Sequence, residues 1–228
     1  MPDYVIDPPS PSVVPVADGG FFPVRRIFCI GRNYAEHARE MGHDPTREPP
    51  FFFTKPADAL VISGAETPYP PATNDLHHEI ELVVAIGREA KGIAAEAALD
   101  HVWGYAAGID LTRRDLQAEA KKMGRPWDMA KGFDFSAPIG DLAPASRIGH
   151  PANARITLAV NGTTRQDGDV ADMIWPVPEA IAYLSTLVTL MPGDLIFTGT
   201  PAGVSAIVRG DRLEGEIQGV GTVGTTIA

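Results

Sequence analysis

The sequence predicts a single β-rich α+β domain that follows a proline-rich N-terminal arm. Three observations lead to this fold class. Short apolar segments rich in β-branched residues recur along the chain, segments with helical periodicity are fewer, and 23 glycines and 21 prolines are spread between them as turn residues. The arm covers residues 1–24, whose prolines cannot donate to a sheet, and the domain covers residues 25–228.

The composition limits the class of protein and its partners. The formal net charge of −10 disfavours binding to nucleic acid or to an acidic membrane surface, so a small anionic substrate requires a pocket that locally reverses this sign. The only cysteine, Cys29, excludes a disulfide framework. The N-terminus does not resemble a secretory signal, and no apolar run approaches the ~20 residues that span a bilayer. We therefore expect a cytoplasmic protein without a nucleic-acid or membrane partner.

The first half of the domain is predicted to alternate strands with helices. The predicted strands are RIFCIG, residues 51–54, residues 59–62, EIELVVAIG and VWGYAAGI. Asn33 is expected to cap a helix over residues 34–41, and a second helix is expected over residues 94–101. Thr112 is expected to cap a third helix, which closes on Gly124.

The second half is predicted to contain a hairpin, one helix and several short strands. Asn161-Gly162 lies between alternating residues, which is a strong hairpin signal. Residues 177–190 have the periodicity of an amphipathic helix that ends ahead of Pro192-Gly193. The strands that follow are DLIFTG, DRLEGEIQG and GTVGTTIA.

Three acidic residues form a candidate metal site. Glu79 and Glu81 are two apart in an apolar strand, so both side chains leave the same face. Two carboxylates on one face of a core strand repel each other and are costly to desolvate, and a bound cation relieves both costs. Asp110, where the next apolar strand meets a helix, adds a third oxygen ligand, and this set favours Mg²⁺, with Mn²⁺ or Ca²⁺ as substitutes. The alternative is an edge strand whose polar face lies in water.

His37 and Glu40 are three apart on the short first helix and are therefore neighbours on its surface. Such a pair can serve as a base with an orienting carboxylate, although the same residue types also fit a solvated helix face. The following loop contains Gly42, Pro45 and Pro49, which interrupt regular structure. We expect this segment to act as a lid that delivers the base once substrate is bound.

Basic and amide side chains follow the metal candidates along the chain. Arg114, Gln117 and Lys121 share one face of the predicted helix, and Lys131 comes after it. Near an acidic metal site these groups can bind a carboxylate or a developing oxyanion; the alternative is a solvated basic helix face. The loop over residues 198–203 offers amides and hydroxyls that can cradle a small anion.

Several segments in a fixed order resemble the fumarylacetoacetate hydrolase family: GRNYAEHAREMG, FFFTKPADAL, HHEIELVVAIG, GYAAGIDLTRRDLQ, KGFD and DLIFTGTPAGV. The resemblance covers roughly residues 25–225, and the motifs together are more specific than any one alone. Within the family, the chain most resembles the single-domain acylpyruvate hydrolases. The segments NDLHHEIELV, GHDPTREPPFFFTKPADAL and LTRRDLQAEAKKMGRPWDMAKGFD are most similar to fumarylpyruvate hydrolases.

This resemblance implies a mixed β-sheet roll, a homodimer and a Mg²⁺ or Mn²⁺ site formed by the three carboxylates. The residue roles that it implies are a water-activating dyad on a lid (His37 and Glu40), two oxyanion donors (Lys131 and Gln117) and contacts with the oxo-acid end of the substrate (Arg32, Arg114 and Thr200). The segments that resemble fumarylpyruvate hydrolases also hold the candidates for the far carboxylate of such a substrate: Arg47 in the lid loop, which we favour, and Lys122 or Arg125.

The implied activity is metal-dependent hydrolysis of a carbon–carbon bond in an acylpyruvate, in which fumarylpyruvate gives fumarate and pyruvate during degradation of aromatic compounds through gentisate. Two alternatives stay open. The same metal site suits an oxaloacetate decarboxylase or a hydroxydienoate isomerase, because both exploit a metal-stabilised enolate. The other alternative is a non-catalytic metal-binding scaffold protein, against which the presence of His37, Glu40 and Lys131 argues.

Overall fold

The structure, a computed structural model, describes residues 4–40 and 48–228. The strands are β1 Val13–Pro15, β2 Phe21–Pro23, β3 Arg26–Gly31, β4 Phe51–Lys55, β5 Leu60–Ile62, β6 Glu66–Thr67, β7 Leu76–His77, β8 Ile80–Ile86, β9 Val102–Ile109, β10 Thr112–Arg113, β11 Ala137–Ile139, β12 Ala143–Pro144, β13 Arg155–Val160, β14 Thr163–Asp169, β15 Asp194–Phe197, β16 Ala206–Ile207, β17 Arg212–Ile217 and β18 Gly221–Ile227. The α-helices are α1 Ala35–Glu40, α2 Arg114–Met123, α3 Asp128–Lys131, α4 Ala145–Ile148 and α5 Val177–Leu187, and 3₁₀ helices cover Ala57–Ala59, Ala95–His101 and Val170–Asp172.

The largest sheet positions the candidate site. Its strands run in the order β4-β3-β15-β8-β9-β11-β5, and β12 also pairs with β9. β3 is parallel to β15 and β5 is parallel to β11, whereas the other neighbours are antiparallel, so the sheet is mixed. The central strand β8, IELVVAI, is buried at every position, as its continuous β-branched centre predicts.

Both faces of this sheet are covered by other elements. On one face, Leu82 and Val84 pack into a core shared with helix α5 and with the five-stranded sheet β14-β13-β17-β18-β6. On the other face, Val83 and Ala85 belong to a second core that includes the β1–β2 hairpin. Each fully buried aliphatic side chain stabilises the fold by ~1.5–3 kcal/mol relative to an exposed one. The predicted α+β mixed-sheet roll is confirmed.

Two turn predictions are confirmed by the backbone geometry. Asn161 and Gly162 join β13 to β14 and have φ angles of 52° and 78°. A two-residue hairpin turn of this kind requires positive φ at both positions, which asparagine and glycine adopt readily. Gly124 follows α2 in the left-handed region with φ of 64°, and its amide donates to carbonyls of the last turn.

Three local predictions were wrong. Thr112 does not cap α2, because it pairs with β7 as part of β10 and the helix begins only at Arg114. Residues 94–101 contain a 3₁₀ helix instead of an α-helix. α5 ends at Leu187, short of residue 190, because Val188 has an extended backbone.

Asn33, predicted to cap the first helix, instead joins distant segments. Its side-chain NH₂ donates to the carbonyls of Trp175, at 3.0 Å, and Thr198, at 2.7 Å, and its oxygen accepts from the Trp175 amide at 2.7 Å. These bonds connect the chain ahead of α1 to the loop after β15 and so support the candidate site.

Part of the N-terminal arm is folded onto the domain. β1 and β2 form an antiparallel pair, and Val14 is fully buried in the second core. Both strands of this two-stranded sheet are edge strands, in which the missing amide donors of Pro15 and Pro23 are tolerated. The division of the chain into an arm and a catalytic domain stays a prediction.

Most of the predicted lid loop, including Arg47, falls on residues 41–47, which lie outside the described residues, so the lid and the role of Arg47 stay predictions. Among the helices that the structure describes, none combines the length and the apolar character needed to cross a membrane.

Candidate active site and metal centre

Strand pairing brings the three predicted metal ligands together. β8 and β9 are antiparallel with Ile80 opposite Ile109, so Glu79, just before β8, lies opposite Asp110, just after β9. The Asp110 amide donates to the Glu79 carbonyl at 2.8 Å. Glu81 leaves the same face of the strand as Glu79. One oxygen from each carboxylate lies within 4.8 Å of the others, and all three residues are buried.

Cations contact two of the three carboxylates. Lys131 Nζ lies 2.8 Å from Glu79 Oε2 and 2.6 Å from Asp110 Oδ2. Arg114 Nη2 lies 2.5 Å from Glu79 Oε1. Lys55 Nζ lies 2.8 Å from Asp110 Oδ1, as an ion pair whose angles do not suit a hydrogen bond. Burial alone would raise the pKa of Glu79, but Lys131 and Arg114 hold that pKa well below its usual range.

Glu81 has a different electrostatic environment. Its Oε2 accepts a 2.7 Å hydrogen bond from the Gly199 amide. Burial, followed by the charges of Asp110 and Glu79, raises the pKa of Glu81 well above its usual range. The three buried carboxylates can all be ionised at a low cost in free energy only if positive charge is present beyond that of the neighbouring lysines and arginine. These oxygen donors therefore fit the predicted divalent cation.

Lys55 was not among the predicted site residues. Its side chain is fully buried, and its Nζ donates to the carbonyl of Leu111 at 3.2 Å and to the carbonyl of Lys131. Lys55 therefore joins the ligand Asp110 to the backbone that carries Lys131. A lysine at the end of the apolar strand β4 was a usable signal, because a buried ammonium group requires acceptors.

His37 and Glu40 form the predicted pair beside the carboxylates. His37 Nδ1 lies 3.3 Å from Glu40 Oε2, and His37 is buried. The Gly203 amide lies 3.2 Å from each oxygen of Glu40 and holds the carboxylate in place. Burial lowers the pKa of His37 below its ordinary 6.5, although the charges of Glu79 and Glu40 oppose this. His37 is therefore neutral at pH 7 and able to accept a proton.

A small cavity of about 30 Å³ lies among these groups. It is lined by most of the predicted site residues: Arg32, His37, Glu79, Glu81, Asp110, Arg114, Gln117, Lys131 and Thr200. Lys121 is the fourth cation of the lining, and burial, with the charges of Arg114 and Arg32, lowers its pKa to about 8, so it stays largely charged at pH 7. Among the described residues, four cations against three carboxylates give the lining of this cavity the opposite sign to the whole chain.

Gln117 lies one turn after Arg114 on α2. Arg114 Nη1 donates to Gln117 Oε1 at 2.6 Å, so the Gln117 oxygen is engaged and the NH₂ group is the donor that the side chain offers. Arg114 contacts Glu79 with its other terminal nitrogen. The shared face of α2 that the sequence predicts therefore lies against the metal candidates.

Gln166 is a second residue that sequence reasoning missed. Its Nε2 donates to the Thr200 hydroxyl at 2.7 Å, and its Oε1 accepts from the Ile80 amide at 3.0 Å and lies 2.9 Å from His78 Nδ1. This fully buried amide joins the loop after β15 to the start of β8. The segment TTRQDGD of β14 contains no apolar side chain, so no hydrophobic pattern marks Gln166 as buried.

The loop over residues 198–203 binds carboxylates of the protein itself. The Gly199 amide donates to Glu81, and the Gly203 amide donates to Glu40. Gly199 has φ of 94°, and a Cβ there would lie 2.7 Å from Asn33 Cβ, so both conformation and space require glycine. These two amides therefore position the metal ligand and the dyad, and the binding of a small substrate anion by this loop stays a prediction.

Comparisons with known proteins agree with this geometry. The family model described as Fumarylacetoacetate (FAA) hydrolase C-terminal matches residues 26–228. The crystal structure of fumarylpyruvate hydrolase from Pseudomonas aeruginosa, in complex with Mn²⁺ and pyruvate, is similar at 52% sequence identity with a TM-score of 0.97, over 99% of both chains.

Relatives that catalyse other reactions are also similar to this chain. The mitochondrial oxaloacetate tautomerase FAHD1 from Homo sapiens is 42% identical over 196 residues, which are 86% of this chain and 88% of that protein. The crystal structure of 2-hydroxyhepta-2,4-diene-1,7-dioate isomerase from Mycobacterium marinum has 32% identity and a TM-score of 0.80, over 95% of this chain and 77% of that one. The family match and these identities together show that the chain belongs to the fumarylacetoacetate hydrolase family.

Proposed function

We propose that this chain is a divalent-metal-dependent hydrolase that cleaves fumarylpyruvate into fumarate and pyruvate. The observation that carries the proposal is a cluster of three buried carboxylates beside a neutral histidine, His37, that is paired with Glu40. The carboxylates suit a cation, the histidine suits the activation of water, and the cationic lining suits an oxo acid. The Mn²⁺ and pyruvate in the Pseudomonas aeruginosa structure support both the metal and the substrate class.

Glu79, Glu81 and Asp110 would hold the metal ion, for which we propose Mg²⁺, with Mn²⁺ or Ca²⁺ as substitutes. When bound, this ion supplies positive charge that polarises the oxo-acid end of the substrate. Arg32 and Arg114, which line the same cavity, contribute further positive charge toward the substrate carboxylate.

The remaining groups move a proton and stabilise charge. His37, oriented by Glu40, takes a proton from water, and the water oxygen attacks the C4 carbonyl carbon of the substrate. Lys131 and the Gln117 NH₂ group donate to the carbonyl oxygen as it gains negative charge, with ~3 kcal/mol from each donor. The C3–C4 bond then breaks, its electron pair goes to C3, and protonation of C3 gives pyruvate, while C4 becomes the carboxyl carbon of fumarate.

A substrate panel tests the reaction. Fumarylpyruvate, maleylpyruvate, acetylpyruvate and oxaloacetate are each supplied with Mg²⁺ and with a chelator. We expect fumarylpyruvate to be hydrolysed with Mg²⁺ and not with chelator, and acetylpyruvate to have a kcat/KM at least about tenfold lower, since it lacks the second carboxylate. Turnover of oxaloacetate alone would instead favour its decarboxylation, if CO₂ is released, or its tautomerisation, the reaction named for the human relative, if it is not. No turnover of any compound would favour a non-catalytic metal-binding protein.

The His37→Ala variant tests the proposed base. We expect kcat to fall by ~10² or more while metal affinity is kept, because His37 is not a ligand. His150→Ala, at an exposed histidine outside the cavity lining, is the matched control and should change neither quantity. Since the pKa of His37 is lowered, the neutral base persists below pH 6.5 and activity is lost only at more acidic pH. A kcat in His37→Ala equal to that of the control would exclude this role.

The cellular setting is also part of the proposal. The resemblance to acylpyruvate hydrolases supports a cytoplasmic homodimer that acts in the degradation of aromatic compounds. Light scattering of the purified protein measures the assembly directly, and a monomeric mass would contradict that part of the proposal.

A further inference from the structure

We infer that a groove beside the carboxylate cavity binds the acyl tail of the substrate and pairs a terminal carboxylate of that tail with Arg125. The groove, here called the aromatic groove, has Arg32, Phe51, Phe53, Arg125 and Trp127 in its lining and a volume of about 570 Å³. The inference rests on the proposed function and deepens it. The preferred substrates are acylpyruvates whose acyl group is planar, unsaturated and ends in a carboxylate.

The carboxylate cavity is too small for a whole substrate. Its volume of about 30 Å³ is far below the ~300–1,000 Å³ that small-molecule sites usually enclose. Arg32, Phe53 and Trp127 line both the cavity and the aromatic groove. A substrate with its oxo-acid end at the carboxylates therefore has this groove as the adjoining space for its acyl half.

The aromatic groove has flat walls that suit a conjugated acyl group. The Trp127 ring packs edge-on against Phe51, with centroids 5.2 Å apart, and lies 6.0 Å from the Phe53 ring. The Arg32 guanidinium carbon lies 5.5 Å from the Phe51 ring centre and 5.9 Å from that of Trp127. A planar unsaturated chain stacks on such rings and on a guanidinium plane over a larger area than a methyl group.

Arg125 is the groove cation that can change partner at small cost. Its side chain is 65% exposed, and its Nη1 lies 3.8 Å from Oε1 of Glu119, whose side chain is 55% exposed. Such an exposed pair contributes little free energy, so a substrate carboxylate can replace Glu119. Asp128 also lines the groove, and with Arg32 and Arg125 it leaves an excess of one positive charge among the described residues of the lining.

Lys122 provides a matched control for Arg125. It is an exposed cation three residues earlier, and the sequence alone made both residues candidates for the far carboxylate. Lys122 is not part of the lining of the aromatic groove. Arg125→Gln and Lys122→Gln therefore remove the same charge from the same region, and only the first removes it from the groove.

Steady-state kinetics of the two variants test the inference. In Arg125→Gln we expect kcat/KM for fumarylpyruvate to fall about tenfold while kcat/KM for acetylpyruvate is unchanged, since only the longer substrate has the second carboxylate. In Lys122→Gln we expect both values to equal those of the wild type. Unchanged fumarylpyruvate kinetics in Arg125→Gln, or equal losses with both substrates, would overturn the inference.

Fumarate binding separates this inference from the proposed reaction. Calorimetric titration with fumarate, with chelator present, requires no turnover. We expect equal Kd values for the wild type and Lys122→Gln and a Kd about tenfold higher for Arg125→Gln. That result supports the groove even if no acylpyruvate is hydrolysed, an outcome that would defeat the proposed function alone. Equal fumarate affinity in all three proteins would defeat the groove.

Discussion

Replacing Glu81 with glutamine is expected to abolish divalent-metal binding and to lower kcat/KM by ~10³-fold, since a metal ion contributes several kcal/mol of charge stabilisation. Glutamine removes the charge of one ligand but keeps an oxygen that can accept the Gly199 amide bond. It also removes the repulsion from Asp110 and Glu79 that, together with burial, raises the pKa of Glu81. The free energy of unfolding of the metal-free protein should therefore not fall.

Three measurements on the Glu81→Gln variant check this result: calorimetric metal titration, activity with and without chelator, and denaturant unfolding. Glu216→Gln on β17 is the matched control, because it makes the same chemical change at an exposed strand position. The control should bind metal and turn over substrate as the wild type does. Full activity of dialysed Glu81→Gln in chelator would contradict the assignment of the metal site.

The acidic cluster could be predicted from the sequence because its geometry follows from local rules. Alternation along β8 puts Glu79 and Glu81 on one face. The next strand returns antiparallel beside it, and its end therefore brings Asp110 to Glu79. The Asn161-Gly162 hairpin was predictable for the same reason, since the turn residues and the strands they join are adjacent in the chain.

The supporting contacts could not be predicted because they join distant segments. Lys55 contacts carbonyls 56 and 76 residues later in the chain. Gln166 contacts His78 across 88 residues. Lys55 follows an apolar run, and its burial there requires a partner, whereas no hydrophobic pattern in β14 marks Gln166 as buried. The patterns do not show which partner the fold supplies.

The predictions that Asn33 and Thr112 cap helices failed because bonds to distant segments competed with the local cap. Asn and Thr favour N-caps because their side chains bond to nearby backbone amides, yet the same groups also serve longer-range bonds. Asn33 bonds to Trp175 and Thr198 across the site, and Thr112 is drawn into a strand pair with β7. In both cases the tertiary partner decided the local structure.

Replacing Lys55 with methionine is expected to lower the free energy of unfolding of the metal-free protein by ~3–5 kcal/mol. Methionine fills the buried volume but carries no charge, so Asp110 Oδ1 loses its cation while it stays buried. The carbonyls of Leu111 and Lys131 also lose a donor. Lys131 still contacts the other oxygen of Asp110 and should keep the loss toward the lower end of this range.

Added divalent metal should restore part of the stability lost in Lys55→Met, because a cation held by Asp110 supplies the positive charge that Lys55 provides. A simple packing defect would cost the same with and without metal, so denaturant unfolding under both conditions separates the two explanations. Lys91→Met removes an exposed cation and should leave stability unchanged. If Lys55→Met and Lys91→Met unfold with equal free energies in chelator, Lys55 does not support Asp110. A loss that is smaller with metal than in chelator instead shows that Lys55 balances the charge of Asp110, since an added ion can replace a charge and not a shape.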